Sequence, residues 1–187
     1  MSAPATPEGH RPRFADAPVE RVTRIDGAIR ARLLRIWVDV SNRGGWVGFV
    51  PPVDQHDVAP ALDQALERVR DGRDWLVVVR DPATAEIVGF AFVADNDRLL
   101  SEHWRWVLRV QIHPDHQGRQ LGLVLLDGIA EMAREAGIEM LHLTVRGGEG
   151  LEDFYARAGY REVARIPRTI RVAPGDDRDQ VVLIHEL

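Results

Sequence analysis

The chain has 187 residues, 45% of them hydrophobic, enough to bury the core of one globular domain. Its formal net charge of −5 sets aside a dedicated nucleic-acid binder, whose footprint is basic, and the lack of cysteine excludes disulfides and any cysteine acyl-enzyme. No apolar run reaches the length of a membrane span and the first residues carry no signal-peptide core, so the expectation is a cytoplasmic protein without a membrane partner.

Residues 1–17, with Pro4, Pro7 and Pro12 and little apolar content, read as a flexible tail; residues 18–187 read as a single domain. Val19 to Ile25 reads as a first strand. Asp26 can cap a helix whose face is Ile29, Leu33, Leu34, Trp37 and Val40, ended by Gly44 and Gly45. A loop from Trp46 to Pro52 leads to a second helix with Val58, Ala61, Leu62, Ala65, Leu66 and Val69, stopped at Gly72. Trp75 to Val79 and Ile87 to Ala94 form two strands around the turn Asp81 to Thr84. In the next strand Trp106, Leu108, Val110 and Ile112 alternate onto one half-buried face, and Arg109, opposite Val110, reads as a surface or ion-pairing residue. Pro114 ends that strand. From Leu121 the apolar period becomes helical, with Leu121, Val124, Leu125, Ile129, Met132, Ala133 and Ala136 on one face and Gly137 as the stop. Arg161 to Ile166 and Gln180 to Ile184 supply two last strands around a turn region at Pro174 to Asp177.

A strand, a glycine-containing turn and a helix make an anion site, because the first N–H groups of a helix lack partners within it and its dipole adds positive charge there. Gly118 and Gly122 permit close backbone approach, while Gln117, Arg119 and Gln120 can add side-chain donors. An ordinary strand-to-helix turn would read the same way. The phosphate loop of nucleotide triphosphatases and the dinucleotide fingerprint are both absent.

The run Gln117-Gly118-Arg119-Gln120-Leu121-Gly122 resembles the loop Q/R-x-x-G-x-G/A of motif A in the GNAT superfamily of acyl-CoA-dependent N-acetyltransferases. Leu141 to Val145, followed by Leu151 to Tyr160 with Phe154, Tyr155 and Gly159, resembles the superfamily's next strand and its FYxxxGF helix. The resemblance covers roughly residues 19–187. It implies an α/β fold of mixed type: a splayed mixed β-sheet of about seven strands with helices on both faces, opened between the strands through Val110 and Leu143 to admit the cofactor. Two positions depart from the pattern. The middle glycine is Gln120, which carries strain of about 1–2 kcal/mol if φ must be positive there, and Gly147 to Gly150 stand where an asparagine often follows the strand.

The resemblance further implies acetyl-CoA as acyl donor. Backbone groups around Val110, Gln111 and Ile112 would pair with its pantetheine, and Gln117, Gly118, Arg119, Gln120, Leu121 and Gly122 would hold its pyrophosphate. Tyr155 would point at the thioester sulfur. A phenol of pKa about 10 is a modest acid for a thiolate whose conjugate acid lies near 8.5, and the plainer alternative is that Tyr155 packs on Phe154. The strand from Trp104 to Ile112 holds no carboxylate; Glu102, His103, Asp95 and Asp97 read as solvated loop charges, which leaves a base acting through water. Trp46, Phe49, Trp104 and Trp106 could wall an acceptor site for an apolar or cationic small molecule, although Trp106 reads equally as core. Gly44 to Phe49 and Arg171 to Asp176 resemble a subgroup that includes the tabtoxin-resistance acetyltransferases, implying a small-molecule amine or hydroxyl acceptor attacked directly in a ternary complex. A non-catalytic acyl-CoA-binding module of the same fold stays open beside this. His113 and His116 lie in a turn without a third ligand, so no metal is expected, and exposed strand edges make a homodimer plausible.

Overall fold

A computed structural model describes residues 17–45 and 47–187. The order is β1 (Val19–Val22), α1 (Gly27–Asn42), α2 (Gln55–Arg70), β2 (Trp75–Arg80), β3 (Ile87–Ala94), β4 (Trp104–Ile112), α3 (Leu121–Glu135), β5 (Met140–Arg146), α4 (Leu151–Ala156), β6 (Arg161–Ala173) and β7 (Asp176–Glu186), with short 3₁₀ turns at Leu99–Ser101 and Pro114–His116. This is the expected succession. The proposed tail lies outside the described residues up to 16, and Ala17 is already buried in the core.

The helix ends follow their caps. Asp26 accepts from the N–H of Ile29 at 2.8 Å at the start of α1, and Asp54 and Asp57 form a reciprocal capping box at the start of α2. Each helix buries its apolar stripe. Leu33, Ile36, Trp37, Leu62 and Leu66 of α1 and α2 pack against Leu76, Val78, Phe90 and Phe92 on one face of the sheet. Leu125, Ile129 and Ala133 of α3 pack against Val77, Val79, Ala91 and Val93 on the other. Covered on both sides, β2 and β3 are continuous apolar runs rather than alternating ones.

The sheet has seven strands in the order β1-β2-β3-β4-β5-β7-β6. All neighbours are antiparallel except β4 and β5, which run parallel and pair only where Trp104, Arg105 and Trp106 face Met140, Leu141 and His142. Beyond those residues the two strands part.

Two expectations about strands need correction. Strand β1 ends at Val22, so Thr23 to Ile25 are connection. The last two strands are much longer than expected: β6 runs on to Ala173 and β7 starts at Asp176, so Asp176 and Asp177 lie in a strand and only Pro174 and Gly175 turn the chain. The outer edge of β6 is exposed along most of its length and interrupted by Pro167 and three register shifts, devices that keep an edge from pairing indiscriminately. Among the described residues no helix is long and apolar enough to cross a membrane.

Candidate active site

A bulge in β4 sets the geometry of the opening. Phe92 faces Leu108 and Phe90 faces Gln111, so one residue of β3 stands against two of β4, and Arg109 takes the left-handed backbone at φ 54°. The expected single face of Trp106, Leu108, Val110 and Ile112 is therefore broken. Val107 and Ile112 are buried towards α3, Val110 packs against that core, and Leu108 is exposed. Beyond Trp106, the edge of Val107 to Ile112 that faces β5 has no strand partner among the described residues.

Between that edge and Leu143 to Arg146 lies a cavity of about 930 Å³. It is lined by the loop and helix start Gln117, Gly118 and Gln120 to Leu123, by Leu151, Phe154 and Tyr155 of α4, by Val47 to Val50 of the α1–α2 loop, and by Ile170 to Val172 of β6. Among the described residues its charged lining is made of Arg109, Arg146, Arg157 and Arg171, with His116 beside them, and includes no carboxylate.

At one end of the cavity Gly118 has φ 73° and Gln120, the N-cap of α3, has φ 63°. The left-handed turn is thus kept without glycine at 120, at a strain of about 1–2 kcal/mol. Within the described chain no acceptor meets the backbone N–H groups of Gly118, Gln120, Leu121 and Gly122. Those donors, at the positive end of α3, suit a pyrophosphate. Two details differ from expectation. Gln117 uses its amide to hold the Ile112 carbonyl at 3.0 Å, tying the loop to the end of β4. At Gly122 a Cβ would come within 2.9 Å of the Phe154 ring, so this glycine serves the packing of α3 against α4.

Tyr155 is buried, stands edge-on to Phe154 at 5.1 Å and to Tyr160 at 5.7 Å, and lines the cavity. Burial pushes its phenol up to about 12, so it is protonated throughout the neutral range. His116 is held below the usual imidazole range, first by burial and then by Arg119.

The aromatic wall divides. Phe49 lines the cavity and Trp46 lies outside the described residues. Trp104 and Trp106 do not line it: they sit where β4 and β5 still pair, with Trp104 stacked on His142 at 4.0 Å and Trp106 edge-on to it. Glu102, His103, Asp95 and Asp97 are absent from the lining as well; Asp95 lies 3.5 Å from Arg105 and Asp97 3.0 Å from Arg68. His113 and His116 each face a carboxylate, Asp39 at 3.3 Å and Asp81 at 3.6 Å. No group of three potential metal ligands occurs among the described residues.

Arg109 is exposed, as expected, and the structure adds that it borders the cavity. Its guanidinium lies 5.7 Å from the centre of the Trp37 ring, and it has no ion pair among the described residues. A charged residue directly between Leu108 and Val110 was the available signal.

The family model for the acetyltransferase (GNAT) family matches residues 46–160. The chain belongs to that family. The match spans α2 to α4 and takes in the β4 edge, the 117–122 loop and Tyr155. A mycothiol acetyltransferase of Propionibacterium freudenreichii subsp. shermanii is 39% identical over 119 residues, which is 58% of this chain and 36% of that protein. The chain thus spans about a third of the length of this curated relative. Solved structures share the GNAT fold. A ribosomal-protein-alanine N-acetyltransferase from Brucella melitensis superposes with a TM-score of 0.71 at 20% identity, over 91% of this chain and 99% of that one. The yncA protein of Salmonella typhimurium, solved with its cofactor acetyl-CoA, gives 0.69 at 18% identity over 91% and 94%.

Proposed function

We propose that this GNAT chain moves the acetyl group of acetyl-CoA to the amine of a small molecule by direct attack in a ternary complex. The observation that carries the reading is the cavity between β4 and β5, with unpaired backbone on one wall and free helix N–H groups at one end. Along the open edge of β4, Val110, Gln111 and Ile112 can pair with the extended pantetheine as a further strand would. The amides of Gly118, Gln120, Leu121 and Gly122, with the charge of Arg119, take the pyrophosphate.

In the transfer, the acceptor nitrogen forms a bond to the thioester carbonyl carbon and the carbon–sulfur bond breaks. A β4 backbone N–H steadies the charge that develops on the carbonyl oxygen. Tyr155 gives its proton to the departing thiolate, and the proton lost by the attacking amine returns to Tyr155 through water. Water takes the part of the base, in keeping with a cavity lined by no carboxylate among the described residues. A relative named for the small molecule mycothiol supports an acceptor of that size.

The test is release of free CoA thiol from acetyl-CoA on addition of small primary amines, followed with a thiol reagent. Amine-dependent release is expected; none with any amine, despite tight cofactor binding, would favour the non-catalytic module. The pH profile is fixed by the raised phenol. Because burial holds Tyr155 at about 12, it stays a proton donor to well above pH 10. The rate should climb as the acceptor ammonium deprotonates, with no fall below about pH 10; a descending limb near pH 8 would remove Tyr155 from the acid role.

A further inference from the structure

We infer that the acceptor carries a carboxylate, bound by Arg109 in the part of the cavity bordered by the α1–α2 loop. The inference deepens the acetyl-transfer reading and rests on it for the ligand's role as acceptor.

Arg109 is positioned by the bulge in β4, in a left-handed backbone that a non-glycine residue adopts at a cost, and the bulge aims its side chain at α1. Its guanidinium stands over Trp37 and against Gly48, where an added Cβ would come within 2.9 Å of Cζ. The group is held on two sides. Water can reach the side chain, yet the surrounding protein desolvates the guanidinium enough to lower its pKa. It remains charged at any working pH, because arginine does not deprotonate in proteins. The guanidinium is exposed at the cavity, fixed by Trp37 and Gly48, and has no carboxylate partner among the described residues, so it is placed to receive an anionic group of a ligand.

Two further observations point to such a ligand. Among the described residues the charged groups lining the cavity are arginines; Arg146 and Arg171 are paired with Glu149 at 3.2 Å and Asp177 at 2.7 Å, which leaves Arg109 as the cation nearest the α1–α2 loop without a carboxylate partner. Gln111 lines the same cavity at 3% exposure with both side-chain amide atoms lacking hydrogen-bond partners, a donor and an acceptor available to a polar ligand. The surfaces near Arg109, namely Val47, Phe49, Val50 and Leu108, are apolar. Together these describe an amino acid with an apolar side chain, or another small primary amine bearing a carboxylate.

The experiment measures calorimetric binding of N-acetyl-L-alanine, -leucine, -methionine and -phenylalanine, the products of such a transfer, against their C-terminal amides, with and without CoA. Acetyl-CoA is titrated in parallel. At least one acid is expected to bind about thirtyfold more tightly than its amide, the scale of a charge-assisted bond to a guanidinium. Arg109→Gln should remove that preference and Arg109→Lys keep part of it, with acetyl-CoA affinity unchanged in both. Equal binding of acid and amide, or no binding of either at about 10 mM, overturns the inference. So does a loss of acetyl-CoA affinity in Arg109→Gln with the acid preference intact, which would assign the guanidinium to the cofactor. If the acid preference holds while acetyl-CoA fails to bind, the carboxylate site stands and the acetyl-transfer reading falls.

Discussion

Replacing Tyr155 by phenylalanine is expected to lower kcat by about 100- to 1000-fold while leaving the affinity for acetyl-CoA within about twofold. The substitution removes one hydroxyl and keeps the ring. The packing that holds α4 in place, edge-on to Phe154 and Tyr160, therefore survives. The phosphate cradle proposed above lies on a different element, the loop before α3. Only the proton for the departing thiolate is lost. Steady-state kinetics beside a calorimetric titration of the same variant separate the roles: unchanged kcat would make Tyr155 a packing residue alone, and weakened cofactor binding would make it part of the cradle. Burial adds a second, opposite contribution. A phenol raised to about 12 is a poorer acid than an unperturbed one, which caps the rate it can support but keeps it protonated wherever the acceptor amine is free.

Trp37→Ala is expected to cost about 3–5 kcal/mol of stability, as for other large aromatic truncations in a core. In a chain of this length that lowers Tm by roughly 6–20 °C. Trp37 is 1% exposed in α1 and meets Phe49, Phe90 and Phe92 with ring centres 5.8, 6.2 and 6.5 Å away. Its indole Nε1 donates to the Val47 carbonyl at 3.0 Å, so the same side chain anchors the α1–α2 loop and forms the platform under Arg109. Trp37→Phe, which keeps a ring and gives up the bond to Val47, should lose about 1–2 kcal/mol. Urea titration of both variants gives the comparison. A loss under about 1 kcal/mol in Trp37→Ala would mean that the α1 face of the sheet is not the packed core it is taken for here.

The elements that bury an apolar stripe were legible in the residues, since burial on one side leaves a period. α1, α2 and α3 showed it at helical spacing, and Asp26 and Gly137 marked ends that the structure keeps. Strands β6 and β7 were underestimated for the same reason in reverse: a hairpin exposed along most of one strand has no buried face to write a period into the chain. The bulge was hidden by a coincidence of types. Trp106, Leu108, Val110 and Ile112 alternate faultlessly as letters, while the backbone inserts a residue at Arg109, and neither glycine nor proline marks the place. Arg109 keeps the exposed position expected of it, and the inserted residue is what sets it at the border of the cavity.

At the loop, order and spacing carried more than single residues did. Gln120 keeps the left-handed turn despite its side chain, which the pattern of neighbours implied and the residue itself argued against. The roles of Gln117 and Gly122 depended on contacts with Ile112 and Phe154, which only the assembled fold brings near. The tryptophans misled because aromatic residues close to a site in sequence can lie at the opposite end of a strand in space. Trp104 and Trp106 stand where β4 and β5 still pair, and the cavity begins at the next residue.

The most direct test of the central claim is a calorimetric titration of the purified chain with acetyl-CoA and with CoA. Saturable binding of both, with Kd in the micromolar range or tighter, is expected for a pantetheine seated along β4 and a pyrophosphate on the α3 amides. Absence of binding at about millimolar cofactor would mean that the opening between β4 and β5 does not receive acetyl-CoA, and the acetyl-transfer account would be wrong.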